Sequence, residues 1–413
     1  MQGDGDKIRY LDGLRGVAAL AVVLSHVLIG FYPAFYTGDP RQAHHAWEVW
    51  AAGSPFNMVS IGNCFVCIFF MLSGYVLTYS VLSKQRQSQF LALAAGRYVR
   101  LTLPILASSF LAYLILKSGG TAHVEVAPAT NSYWWLPTLY QFTPDFADMS
   151  IESVYRVYQF DTNYNPALWT MRIELLGSFM VFGILALCRS VRLRMAAYLL
   201  VSLFFFSPYY FCFIAGMFFY DVRSITQRVS PAGKQSSRII SSAITGMLFI
   251  LGAFLGAYPY AYTVGTWYQG LADLLVPQLG GDALVAVHLL AAALLMLAVE
   301  RSVLIRRLLC GRLLQFVGRN AFSIYLLHLI LIVSVFSASF QWAFAKVSYD
   351  AAFWLAALVF IAVLLLLSNG MYSLIDRPSV QLGHRIGRAI ERAQQRLLEA
   401  VSARWVDRVR RRS

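Results

Sequence analysis

Long apolar runs dominate this chain, and short basic stretches separate them. A helix of about 20 apolar residues crosses a bilayer core. On that measure the pattern predicts ten spans, at roughly 12–32, 58–80, 101–118, 167–188, 195–207, 208–221, 239–258, 283–300, 320–340 and 351–375. The pair 195–207 and 208–221, divided near Pro208, is short, and reads as two tilted spans or as a re-entrant hairpin. Past the last run, Ile386, Ile390, Leu397, Val401 and Trp405 recur mostly three or four apart among arginines. That spacing predicts a basic amphipathic helix lying on a membrane surface. The expected fold is an all-α integral membrane protein, with a transmembrane domain over 1–376 and a cytoplasmic amphipathic tail over 377–413.

Composition supports the membrane reading. Of 413 residues, 58% are hydrophobic and 13% charged, whereas a soluble domain is about a quarter charged. The net charge of +14 first raises the question of nucleic acid. Most of the 34 Lys and Arg, however, fall in alternate loops and in the tail. Such a bias places both termini in the cytoplasm and assigns the charge to topology and anionic lipid, so no nucleic-acid partner is expected. Lys7 and Arg9 precede a run without a convincing cleavage site, which reads as a retained first span. Cys64 and Cys67 have metal or redox spacing but no second pair beside them, and are read as small apolar helix residues; no metal is expected.

Ionisable residues inside hydrocarbon are costly, and they mark candidate chemistry. The first run carries three of them: Asp12, Arg15 and His26. Asp12 stands one turn before Arg15 and can pair with it. His26 returns almost to the face of Arg15, about 16 Å deeper. Arg97 and Arg100, three apart, share a helical face at the inner edge of a span, and arginine grips phosphates well. The competing explanation is positive-inside anchoring. Glu174 lies several residues into the fourth span, where a carboxyl is suited to acid–base work or to an ion pair with Arg172 or another helix. Ser323, Tyr325 and His328 are polar positions on an otherwise apolar helix, and His328 lies at a depth comparable to His26. The two histidines are expected to flank one cavity, or else to bond across helices. Two outer loops, 33–57 and 119–166, are rich in Trp and Tyr, which suits stacking on sugar rings or an interfacial aromatic belt.

Together these stretches resemble the membrane acyltransferase-3 family over nearly the whole chain. YLDGLRGVAALAVVLSHV matches the family's opening helix, with its Arg and His at Arg15 and His26. FFMLSGYVLTYS matches the second-helix signature around Ser73 and Tyr75, and Arg97 and Arg100 match the family's RxxR. LWTMRIELLGSF matches the element holding Trp169 and Glu174, VGRNAFSIYLLH the late signature through Asn320, Ser323, Tyr325 and His328, and Asp376-Arg377-Pro378 the usual ending. The chain departs where Leu-Leu-Gly-Ser-Phe follows Glu174 and where Asp376 replaces the commoner Glu. The resemblance implies ten helices and transfer of an acyl group, most often acetyl, from cytoplasmic acetyl-CoA to a hydroxyl at the outer face. It implies His26 as base or acyl relay, Arg15 and Asp12 orienting it, Arg97 and Arg100 on the CoA phosphates, and Glu174 near the acceptor. Ser73, Tyr75, Trp169, Asn320, Ser323, Tyr325 and His328 are expected in the substrate or structural pocket. A cell-surface polysaccharide or lipid-linked sugar is the expected acceptor, and a bacterial inner membrane the expected location. The competing class is a multi-span transporter that changes no covalent bond.

Overall fold

The computed structural model describes residues 9–87, 89–204, 207–229, 238–260 and 262–410. Lys7, Lys234 and positions 411–413 lie outside these, as do the side chains of Arg228, Arg238, Val401 and Trp405. Among the described residues the chain is helical, without a strand. That is the expected outcome for a backbone in lipid, where a helix satisfies its own N–H and C=O groups.

Each of the ten predicted stretches holds a helix. In order these are α1 (Arg9–Phe31), α2 (Gly62–Ser83), α3 (Phe90–Lys117), α4 (Trp169–Leu187), α5 (Val191–Phe204), α6 (Pro208–Val229), α7 (Arg238–Gly256), α8 (Asp282–Arg301), α9 (Arg312–Leu331) and α10 (Tyr349–Met371). Among the described residues, seven helical segments, beginning with α1, α2, α3, α4, α8, α9 and α10, are long and apolar enough to cross a membrane. The tail forms α11 (Arg377–Arg410).

Three boundaries differ from the pattern. The third span was expected from 101, yet α3 begins at Phe90, so Arg97 and Arg100 sit inside the helix rather than before it. Charge there does not mark a helix end, because Arg97 has a carboxylate partner within the bundle. The α9 helix starts at Arg312, well before 320, which places Arg319 inside it. It then passes through a π-turn, Ile332–Phe336, into a further helix ending at Phe344. A second π-turn, Tyr372–Asp376, carries α10 directly into α11.

Small residues bring key helices together. The α1 and α9 helices pack backbone to backbone: a Cβ on Gly16 would stand 2.7 Å from the Gly318 nitrogen, and one on Gly318 would strike the Asp12 carbonyl. Close approach through small residues is the usual device for membrane helices. It sets Asp12 and Arg15 beside Arg319. The α11 helix packs along α3 in the same way, where Gly383 would meet the Gly96 carbonyl at 2.5 Å if it carried a Cβ. Arg86 and Glu391 then pair one stage further along. The first turns of the tail are thus packed against the bundle.

The loop 119–166 is folded, with short helices His123–Thr130 and Phe146–Val154. Its Glu152 is buried and accepts a hydrogen bond from the Tyr164 N–H at 2.9 Å. Burial raises the Glu152 carboxyl to about 7, and neighbouring Asp161 pushes in the same direction. The π-turn in the α9 segment helps to anchor this loop, because its Val333 carbonyl accepts from the Ala122 N–H at 3.0 Å.

Candidate functional site

A cavity of about 720 Å³ opens where α1, α2, α3, α4, α9 and the start of α11 converge. Five arginines line it: Arg15, Arg97, Arg100, Arg319 and Arg377. Asp12, Glu174 and Asp376 are its acidic residues. The wall therefore carries a surplus of positive charge, and its inner part, with Val66, Phe69, Phe70 and Phe322, is apolar. This combination fits an anionic molecule with an apolar extension.

The arginines are not equivalent. Arg97 is buried and ion-paired with Glu174, and its Nε donates to Ser178 Oγ at 3.0 Å. Ser73 donates to the same Glu174 carboxylate at 2.6 Å. This cluster ties α2, α3 and α4 together at the cavity wall. The partner of Glu174 is thus Arg97; Arg172 lies instead over the Phe160 ring at 4.8 Å. Arg15 pairs loosely with Asp12 at 3.3 Å, on the partly exposed face expected from their spacing. Arg319 lies 5.8 Å from the centre of the Tyr372 ring, another cavity residue. Arg100 is exposed into the cavity.

His26 and His328 meet beyond the apolar end of this cavity. Tyr325 lines the cavity, and its ring centre is 5.6 Å from that of His328. The His328 ring lies 4.9 Å from that of His26, and His26 lies 5.9 Å from Trp135 in the 119–166 loop. A continuous row of rings thus runs from the arginine-lined cavity through both histidines to the 119–166 loop. The expectation that the two histidines flank one cavity becomes a direct ring contact just past its end.

Hydrogen bonding determines where each imidazole keeps its proton. His26 Nδ1 faces the Val22 carbonyl at 2.9 Å, and His328 Nδ1 faces the Tyr325 carbonyl at 2.6 Å. A carbonyl only accepts, so both Nδ1 atoms carry hydrogen and both neutral rings keep a lone pair on Nε2. His26 remains partly accessible, whereas His328 is fully buried.

The remaining sequence candidates separate into three groups, of which only Tyr325 lines the cavity. Tyr325 donates to the Ala167 carbonyl and shares a 2.7 Å hydrogen bond with Thr170. Asn320 and Ser323 are buried on α9, and neither the Asn320 Oδ1 nor the Ser323 Oγ has a partner among the described residues. Tyr75 and Trp169 lie off the cavity, packed on Tyr220 and Tyr209 with ring centres 5.6 and 5.4 Å apart. Residues not singled out by spacing complete the site: Arg319, Tyr372, Gln381 and Trp135. Arg319 could have been found from its place nine residues before His328 on one helix. Gln381 carries no local signal, because only the packing of α11 on α3 brings it to the wall.

Comparison with known proteins identifies the family of the chain. The family model described as an acyltransferase domain, Acyl_transf_3, matches residues 8–369. The O-acetyltransferase PaAT-1 of Phomopsis amygdali is 25% identical, covering 90% of this chain and 83% of that protein. Acyltransferase clz18 of Cochliobolus lunatus is 22% identical over 83% of this chain and 86% of its own. Acyltransferase R4 of a Phoma species is 23% identical over 92% and 95%. No solved structure matches the chain.

Proposed function

The chain belongs to the acyltransferase-3 family and is an acyltransferase of the membrane, and on that premise we propose that it moves an acetyl group from acetyl-CoA to a hydroxyl presented at the opposite face. One observation carries this reading: the arginine-lined cavity ends next to a pair of histidines whose far side meets a tryptophan of the 119–166 loop. Two substrates arriving from opposite sides need their reacting atoms to meet at such a point.

In this reading Arg100, Arg319 and Arg377 hold the CoA phosphates, for which guanidinium is well matched. Arg97 is committed to Glu174 and Ser178, so it shapes the wall and orients the Glu174 carboxylate. Arg15 and Asp12 set the α1 end of the same wall. The pantetheine arm follows the apolar side toward Tyr325. His26 then takes the acceptor's hydroxyl proton on Nε2 as the oxygen bonds to the acyl carbon. The carbon–sulfur bond breaks, and the proton returns to the leaving thiolate. No net proton is consumed.

The outer surface supports a ring-bearing acceptor, and we assign a glycan or lipid-linked sugar. Tyr36 stacks between Trp134 and Tyr260, with centres 6.2 and 5.9 Å away, and Trp47 and Trp134 are exposed. The Lys/Arg bias supports cytoplasmic termini, and with them entry of CoA from the cytoplasm. A bacterial inner membrane is our placement from the family resemblance, since the charge bias sets orientation and does not choose the membrane.

The test uses membranes carrying the protein, supplied with radiolabelled acetyl-CoA, and reads label in alkali-labile esters. Wild type should label, and His26→Ala should lose about 10³-fold at equal abundance. Arg100→Ala should need roughly tenfold more acetyl-CoA for half-maximal labelling, as expected for one lost charge-assisted contact. Normal labelling by His26→Ala removes the base assignment. Acetyl-CoA dependence unchanged in Arg100→Ala removes the phosphate assignment.

A further inference from the structure

His328 is fully buried, and its Nε2 has no hydrogen-bond partner among the described residues. A buried polar nitrogen left bare costs roughly 1–3 kcal/mol, so its retention calls for an explanation. A leucine or phenylalanine would fill the space without that cost. The Nδ1–H is fixed on the Tyr325 carbonyl, so the ring cannot turn its donor toward His26 without giving up that bond. What His328 offers to its surroundings is therefore a lone pair. The nearest ring is His26, with centres 4.9 Å apart and planes inclined by 56°. No hydrogen bond joins the two rings in this arrangement, so one forms only when the His26 ring tilts as it is protonated.

The two neutral rings have nothing to exchange, because each keeps its hydrogen on Nδ1. Their relation changes when one proton is added. Once His26 takes a proton on Nε2 it becomes a cation with two donors. One donor is held by the Val22 carbonyl. The second needs an acceptor when the bond to the substrate oxygen is lost. In an apolar interior the alternative to a fixed acceptor is a bare charge.

We infer that His328 is a positioning residue that shares the proton taken by His26, accepting it in an N–H···N hydrogen bond until it is returned to the leaving group. The inference rests on the acyl-transfer reading above. The balance is closed: the acceptor O–H bond breaks as its oxygen bonds to the acyl carbon, one proton resides on the histidine pair, and the departing sulfur takes it back through His26. His26 meets the substrates, being partly accessible. His328 acts through His26, from the dry side of the helix pair. Tyr325 fits the same scheme, since its carbonyl fixes the His328 tautomer and its hydroxyl is held by Ala167 and Thr170.

The experiment replaces the ring with small molecules of its own shape. Membranes carrying wild type, His328→Ala or His328→Gln are supplied with radiolabelled acetyl-CoA, alone or with imidazole or pyrazole. The two additives are nearly identical in shape, but only imidazole is appreciably basic near neutral pH. Wild type should label normally, and both variants should fall about 10²-fold at equal protein abundance. Imidazole should restore much of the rate to His328→Ala, and pyrazole should not. Imidazole should do nothing for His328→Gln, whose side chain keeps the space filled. Labelling by His328→Ala within twofold of wild type overturns the inference. So does rescue by both additives, which would make the role one of packing, and so does rescue by neither. Wild-type membranes that form no labelled ester refute the acyl-transfer reading itself, a result distinct from any of these.

Discussion

His288 on α8 and His328 on α9 are both fully buried, yet they are treated differently. His288 uses both nitrogens: Nδ1 accepts from the Asn63 amide at 2.9 Å, and Nε2 donates to the Tyr258 carbonyl at 3.1 Å. Tyr209 in turn donates to Asn63 Oδ1 at 2.6 Å, which completes the network. His328 uses one nitrogen and leaves the other bare beside His26. The arginines repeat the contrast. Arg194 is bidentate on Asp221, and Tyr198 donates to the same carboxylate, all buried between α5 and α6. Arg97 and Glu174 are paired as well, but both line the cavity among four further arginines. The lesson is that burial and pairing alone do not mark a site. A saturated network holds helices in place, whereas incomplete saturation next to open volume leaves a group able to act.

The contrast can be broken by substitution. The largest effects should come from the ion pairs. Asp221→Asn leaves the Arg194 charge without its counter-ion and should cost about 3–5 kcal/mol, read as lost abundance and a lower melting temperature in detergent. The activity of each surviving molecule should be normal. Glu174→Gln should show the opposite balance, with transfer falling well beyond any loss of protein. If Asp221→Asn lowers activity per molecule while Glu174→Gln only lowers abundance, the division between structural and functional pairs is wrong.

The histidine comparison predicts a smaller effect. His288→Ala strands the Asn63 amide and the Tyr258 carbonyl, and should cost roughly 1–3 kcal/mol. Labelled-ester formation per molecule should stay within twofold of wild type. A selective loss of activity would move α8 into the site.

The smallest effect concerns the folded 119–166 loop, and it depends on pH. Burial holds the Glu152 carboxyl at about 7 against an ordinary value of 4.5. The folded loop therefore favours the protonated form. The stabilisation is fully present below pH 4.5, and it is lost as pH rises through 7. Amide hydrogen exchange over Phe146–Val154 and Tyr164, corrected for intrinsic rates, should be less protected at pH 8 than at pH 5. Glu152→Gln, neutral at both, should remove the difference. Equal protection at both values in wild type would show that this carboxyl titrates normally.

Much of the fold was legible because lipid leaves the backbone few choices. A long apolar run must become a helix, so all ten predicted stretches contain one. The ends were less legible wherever a charge has a remote partner. Arg97 looks like a helix-terminal anchor until Glu174, far along the chain, is seen to pair with it. The Asp12–Arg15 pair was legible because three residues on a helix bring side chains together regardless of other helices. The tail read as amphipathic, but its service as a cavity wall through Arg377 and Gln381 carries no periodic signature.

The sequence by itself determined the helices, the membrane class, the family motifs and the face shared by Arg15 and His26, since all of these follow from spacing along one chain. Tertiary structure alone decided that His26 touches His328, that Arg97 belongs to Glu174 and that five arginines surround one cavity. Those facts depend on how each helix is rotated and how closely its backbone approaches the next. Glycines such as Gly16, Gly318, Gly96 and Gly383 set that approach from distant parts of the chain. A pattern of neighbours encodes a helix and its faces, but a helix face acquires a partner only when packing supplies one.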